Sequence, residues 1–297
     1  MRTVYLGTSQ FAADVLRILA ASAHRPELVV TRPDRPRGRG RKLASPPVLG
    51  VARELGIATD QPESVNDPAA AERIDAAAPE VVVVCAFGAL IKEPLLSAYP
   101  MLNVHPSLLP RWRGAAPVER AIMAGDERTG VSIMRLTAGL DSGPVCLAAE
   151  EPIGPRDTYG TLAERLSGLG GALLVQALDS SPPFHDQDDA GVTYAEKITA
   201  EDRLLDPGRP AVELERVVRA LAPHIGAAVT GVDGERLGVW EAAAYPAQPG
   251  DPPAGELSLG DAVPRLGCTP GTLALLTVQP AGRRQMPGDA YLRGLRS

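Results

Sequence analysis

The run Val81-Val82-Val83-Val84-Cys85-Ala86 is the feature that most restricts the folds open to this chain. An unbroken apolar segment rich in β-branched residues has no polar face to give to solvent. It therefore reads as a strand covered on both sides. Sheets buried on both faces are built from parallel strands joined by helices. The start of the chain agrees: residues 3–6 are β-rich, and Gly7-Thr8-Ser9 can turn the chain and cap a helix. Phe11, Val15, Leu16, Ile18 and Leu19 then recur on one helical face. Residues 28–30 supply a second strand. Because Gly7 stands alone where G-x-G-x-x-G would be needed, this opening is not a dinucleotide-binding motif.

The pattern continues over the first 180 residues. Helices are expected at 48–55, at 67–77 with Asn66 or Asp67 as cap, and at 159–178 with Tyr159, Leu162, Leu166, Leu169 and Leu173 on the apolar stripe. Strands are expected at 101–104, at 131–136 with one wetter face, and at 145–148. Together they predict an α/β domain over 1–180 with a doubly wound, mostly parallel sheet. Residues 179–191 are polar, acidic and proline-containing, which sets a linker at 181–206 with His185 exposed and idle in it. An amphipathic helix at 211–221, a hairpin turning at Asp233-Gly234, and short strands including 272–278 predict a small antiparallel barrel over 207–297.

Composition narrows the function. The formal net charge of −6 argues against a protein that coats nucleic acid non-specifically, while leaving room for a local basic patch. One such patch is Thr31-Arg32-Pro33-Asp34-Arg35-Pro36-Arg37-Gly38-Arg39-Gly40-Arg41-Lys42. Proline and glycine exclude regular structure here, so an exposed, mobile loop is expected. Its clustered arginines favour contact with nucleic acid or phosphate over an ordinary solvated loop. Three scattered cysteines without Cys-x-x-Cys, and four histidines, give no sequence-local metal site, and no metal is expected. The N-terminus has no apolar h-region and no run approaches the ~20 residues of a membrane span, so a cytoplasmic protein is expected, as a monomer.

The chemistry centres on Asn103-Val104-His105-Pro106-Ser107-Leu108-Leu109-Pro110-Arg111-Trp112-Arg113-Gly114-Ala115-Ala116-Pro117. Asn103 and His105 are two apart on an extended segment, so both side chains leave one face. Pro106 and Pro110 then force a stiff loop. An amide beside an imidazole at a strand end is a polar site at a sheet edge, or else a loop cap beside a structural histidine. Thr137-Ala138-Gly139-Leu140-Asp141-Ser142-Gly143-Pro144 adds one acid held between glycines, which by itself is also an ordinary turn aspartate.

Asn103-Val104-His105 with Ser107-Leu108-Leu109-Pro110 and Gly139-Leu140-Asp141-Ser142-Gly143 resembles the formyltransferases that use 10-formyltetrahydrofolate. Arg111-Trp112-Arg113-Gly114-Ala115-Ala116-Pro117, the basic loop, and Thr193-Tyr194-Ala195-Glu196-Lys197-Ile198 are similar to the branch that acts on initiator methionyl-tRNA. The resemblance implies an OB-like C-terminal barrel that helps to hold the tRNA. It carries the catalytic Asn, His and Asp onto Asn103, His105 and Asp141, and folate contacts onto Ser107, Leu108, Leu109 and Pro110. The tRNA-inserting loop falls on Arg39 between Gly38 and Gly40, with Arg37, Arg41 and Lys42 beside it. One departure is Ala222-Pro223-His224 where the family usually has Asn-Pro-Trp. On this expectation Asn103, and His105 if it donates, stabilise an oxyanion. Asp141 orients His105 or accepts the proton through water.

Overall fold

The apolar run does become the middle of a sheet. In the first of two units the strands are β1 (Thr3–Gly7), β2 (Pro26–Val30), β3 (Ala58–Asp60), β4 (Val81–Cys85), β5 (Met101–His105), β6 (Arg128–Arg135) and β7 (Val145–Pro152). They lie in the order β7-β6-β5-β4-β1-β2-β3, with β1 to β5 parallel, β6 antiparallel to β5, and β7 antiparallel to β6. The structure, a computed structural model, describes residues 1–37, 42–232, 234–260 and 262–296. All of β4 is buried, and its burial pushes the Cys85 thiol up to about 12.

The helices of this part of the chain are α1 (Gln10–Ala20), α2 (Pro47–Glu54), α3 (Pro68–Ala76), α4 (Leu95–Ala98), α5 (Pro117–Ala124) and α6 (Tyr159–Ser180), of which α5 and the first turn of α6 group with the second unit. Ser9 caps α1, its hydroxyl accepting from the Ala12 N–H at 3.2 Å. Asp67 takes the cap position of α3, whereas Asn66 accepts from the Lys92 N–H and donates to the Leu90 carbonyl. α6 approaches β5 closely because Gly170 has no side chain; a Cβ there would meet Val104 Cγ1 at 2.9 Å. Among the described residues no helix is long and apolar enough to cross a membrane.

Three expectations are corrected. The wetter face expected at 131–136 does not exist, since β6 is buried from Thr129 to Met134. Its polar residue is internal because Ser132 Oγ donates to the Ser107 carbonyl at 2.8 Å and accepts from the Leu109 N–H at 3.1 Å. The basic loop is not wholly irregular: Arg35–Arg37 pairs antiparallel with Lys42–Ala44, and Arg37 faces Lys42. A two-stranded ladder tolerates Pro36, which has no N–H to donate. The base of this loop is tied down, as Asp34 accepts from Gln61 Nε2 at 2.8 Å and Ser45 Oγ at 3.0 Å, bonds that lower its carboxyl below the ordinary value. The segment expected as linker divides, with 181–195 grouping with the first unit and 196–206 with the second.

The second unit combines Val118–Glu127, Ile153–Leu162 and Glu196–Ser297. Its strands are β8 (Ala227–Thr230), β9 (Arg236–Tyr245), β10 (Leu257–Ser258), β11 (Arg265–Gly267), β12 (Thr272–Gln279) and β13 (Met286–Pro287), with helices α7 (Ala211–Leu221) and α8 (Gly288–Arg296). They form an antiparallel sheet in the order β8-β9-β12-β11-β10, with β13 on β12. Among the described residues no ladder joins β8 to β10. Asp233 of the expected hairpin turn lies outside the described residues. Leu214, Val218 and Leu221 of α7 share one core with Val239, Leu273 and Leu275. His224 stacks on Tyr159 with centroids 3.8 Å apart, and its Nε2 is 3.0 Å from Glu119 Oε1. Burial, aided by the Glu119 charge, pushes the Tyr159 hydroxyl up to about 12.

Arg120 grips both oxygens of Asp202, at 2.7 and 2.8 Å. That hydrogen bonding holds the Asp202 carboxyl below its ordinary 3.8. A depressed carboxyl contributes stability above the unfolded-state value and loses it as pH falls through the folded-state value. The melting-temperature deficit of Asp202→Asn relative to wild type is therefore expected to be constant from pH 5 to 7 and to shrink below about pH 3.8, as scanning calorimetry across pH would measure.

Candidate active site

β5 builds the site because its alternation sends Asn103 and His105 out of one face while Val104 turns back toward α6. Both polar residues are buried, at 8% and 4% exposure, and are held between β4 and β6. Groups this buried need partners. His105 Nε2 lies 2.9 Å from the Trp112 carbonyl oxygen. A carbonyl only accepts, so Nε2 carries the hydrogen and the neutral ring keeps its lone pair on Nδ1. That nitrogen faces Asp141 Oδ2 at 3.7 Å, just beyond a direct hydrogen bond. Asn103 Nδ2 reaches Asp141 Oδ1 at 3.4 Å, and the Gly114 N–H donates to Asp141 Oδ2 at 2.8 Å. The three residues separated in sequence thus converge on one carboxylate.

The backbone is bent to allow this. Trp112 and Asp141 have φ of +62° and +43°, values that side-chain-bearing residues adopt at a cost of roughly 1–2 kcal/mol. Gly114 has φ of +123°, and a Cβ on it would lie 2.7 Å from the Ala195 carbonyl oxygen. Only glycine can present this N–H here.

The loop 107–111 stands beside the pair and is braced from within. Ser107 is fully buried and its hydroxyl donates to the Arg111 carbonyl at 2.7 Å. It shapes the loop, then, while Leu108, Leu109 and Pro110 are half-buried and present its outer surface. Of the basic residues singled out in the sequence, Arg39 and Arg41 lie outside the described residues. Arg37 and Lys42 are placed as ladder partners, away in sequence from the β5 cluster. A cavity of about 270 Å³ lined by Met101, Leu102, Arg135, Cys146, Leu178 and Phe184 holds none of these residues, because it opens at the opposite end of β5. Among the described residues no cluster of three or more His, Cys, Asp or Glu could hold a metal ion.

The residues that sequence reasoning missed act through main-chain atoms or lie far away. The Trp112 carbonyl and Gly114 N–H have no signature beyond the glycine itself. Gln187, inside the expected linker, donates from Nε2 to the Asp141 and Gly143 carbonyls at 2.8 and 2.7 Å.

The site is thus a strand-end amide and imidazole that meet a loop carboxylate within an α/β unit. The sequence pattern of the formyl transferase family matches residues 1–178, and that of the formyl transferase C-terminal domain matches 197–296. The methionyl-tRNA formyltransferase of Methylococcus capsulatus is 41% identical over 298 residues, covering 98% of this chain and 96% of that one. The chain belongs to the methionyl-tRNA formyltransferase family. In overall fold it is similar to the solved methionyl-tRNA formyltransferase from Clostridium thermocellum, with TM-score 0.62 and 14% identity over 84% of this chain and 95% of that one. It is also similar to HypX from Aquifex aeolicus in complex with tetrahydrofolic acid, with TM-score 0.66 and 17% identity. That match covers 98% of this chain and 47% of HypX.

Gly114→Ala is expected to lower the formyl-transfer rate about 10–100-fold, since the 2.7 Å clash with Ala195 must push the N–H off Asp141. A steady-state rate assay beside a circular-dichroism melt would check that the rate falls without loss of fold.

Proposed function

We propose that the chain transfers the formyl group of 10-formyltetrahydrofolate to the free amino group of initiator methionyl-tRNA, with Asn103, His105 and Asp141 as the catalytic set. The observation that carries this is the convergence of Asn103 Nδ2, His105 Nδ1 and the Gly114 N–H on the Asp141 carboxylate. That relatives 41% identical are methionyl-tRNA formyltransferases supports the substrate, and the tetrahydrofolic acid bound by HypX supports the donor.

The amine nitrogen of the methionyl ester attacks the formyl carbon, and negative charge develops on the formyl oxygen. The Asn103 amide keeps hydrogen-bonding capacity for that oxygen, since among the described residues its side-chain hydrogen bond is a long one of 3.4 Å to Asp141. His105 has committed Nε2 to Trp112, so proton acceptance falls to Nδ1. The imidazolium so formed faces Asp141, and the 3.7 Å gap closes by less than about 1 Å when the site tightens around substrate. The C–N bond to the folate then breaks, and the proton passes from Nδ1 to the departing nitrogen. The products are the formylated amine and tetrahydrofolate. Leu108, Leu109 and Pro110 offer the half-buried surface beside this site on which the folate would lie, with Ser107 bracing it from inside.

The 31–42 segment is proposed as the tRNA contact, through Arg37, Arg39, Arg41 and Lys42. Formyl transfer measured with 10-formyltetrahydrofolate and methionyl-tRNA tests the whole reading. His105→Ala and Asp141→Ala are each expected to raise the barrier by about 3–4 kcal/mol, a 10²–10³-fold rate loss, with the fold intact. A wild-type rate in either variant would contradict the assignment. Arg39→Ala is expected to raise KM for the tRNA and flatten the salt dependence, leaving KM for the folate unchanged.

A further inference from the structure

Residues 181–195 carry none of the expected site residues, yet they are bonded into the catalytic loops at both ends. Near one end, Val145 and His185 exchange backbone hydrogen bonds at 2.8 and 2.9 Å. At the other, Thr193 Oγ1 accepts from the Trp112 N–H at 2.9 Å, and the Thr193 carbonyl accepts from the Arg113 N–H at 2.9 Å. Gln187 sits between these anchors and uses both halves of its amide. Its Nε2 donates to the Asp141 and Gly143 carbonyls, and its Oε1 accepts from Arg113 Nε at 2.9 Å. The guanidinium can only donate and the carbonyls can only accept, so the amide has a single orientation.

These bonds close a ring around the carboxylate. Arg113 is 9% exposed and immediately precedes Gly114, whose N–H holds Asp141 Oδ2 at 2.8 Å. Gln187 therefore fixes the main chain of Asp141 from one side while its partner Arg113 fixes the residue that grips the Asp141 side chain from the other. The positive φ of Asp141 makes such a clamp necessary, because without it the loop can relax toward ordinary backbone angles and withdraw the carboxylate.

We propose that Gln187, braced by Arg113, is a positioning residue for formyl transfer: it acts on the reaction by holding Asp141 at the β5 cluster. This rests on the reading of Asp141 as part of the catalytic set. A 1 Å misplacement at a reacting centre can cost about 10²-fold in rate, which sets the size of effect to expect.

The test is steady-state transfer by the full chain, with 10-formyltetrahydrofolate and methionyl-tRNA as substrates. Gln187→Met keeps the volume and removes all three bonds; kcat is expected to fall about 10–100-fold while both KM values stay within about twofold. Gln187→Glu keeps an acceptor for Arg113 but has no hydrogen for the two carbonyls, so it is expected to fall similarly, and it stands in if the Met variant fails to fold. The decisive arm is the Asp141→Ala background. A residue acting through Asp141 has nothing left to position there, so adding Gln187→Met is expected to change kcat by less than about twofold. The same fold-loss in both backgrounds would mark Gln187 as merely structural and overturn the proposal, as would an unchanged kcat in the single variants. If Asp141→Ala alone turned over at the wild-type rate, the catalytic reading itself would fail. If Asp141→Ala were slow and Gln187→Met fast, only this inference would fall.

Discussion

The arrangement depends on one constraint, the confinement of β5 between β4 and β6 with Val104 packed toward α6. A strand free on one edge could slip by a residue, and a one-residue slip would turn Asn103 and His105 into the sheet and Val104 out of it. Here Asn103 is in register with Val84 on one side and Met134 on the other, and His105 is level with Ser132. The register is sealed by side chains as well, because Ser132 ties β6 to the loop that leaves His105. Core packing and site geometry are the same set of contacts.

Charge is then brought to this rigid end by a less regular part of the chain. Asp141 arrives on a loop with strained backbone, and two donors hold its carboxylate, the Asn103 amide and the Gly114 N–H, while the His105 ring faces it at 3.7 Å. The division is physically sensible. The strand supplies precision, since its residues are fixed on both edges. The loop supplies a carboxylate that can close the remaining gap to His105 when substrate is present. Pre-organised dipoles around a developing charge are the main source of rate enhancement in such transfers, and an apolar core surrounds this cluster on the sheet side.

Much of this was legible in the sequence, and the failures have causes. The buried strand expected at 81–86 is found over 81–85, the helix cap expected within 7–9 falls on Ser9, and helix 211–221 appears as its pattern predicts. Asn103 and His105, set side by side by the strand, lie 3.4 and 3.7 Å from the Asp141 carboxylate. The wetter face assigned to β6 was wrong because the alternation contains Ser132, and a serine satisfied by a distant loop is indistinguishable in sequence from a solvated one. The linker expected over 181–206 divides for a related reason, 181–195 grouping with the first unit. Polar, proline-containing chain usually marks a connection, but Gln187 and Thr193 are polar because they bind the main chain of loops more than 40 residues earlier in sequence. Main-chain partners leave no letter for a sequence to show, which is why the Trp112 carbonyl and Gly114 N–H emerge only in three dimensions.

Everything proposed for this chain depends on the formyl group being processed where Asn103, His105 and Asp141 meet. The most direct measurement is a crystal structure of the protein with 5-formyltetrahydrofolate, a stable analogue of the donor, and methionyl-adenosine. The formyl oxygen is expected within hydrogen-bond distance of Asn103 Nδ2 and the amine within about 3.5 Å of His105 Nδ1. A formyl group bound out of reach of both, for instance in the cavity at the opposite end of β5, would contradict it.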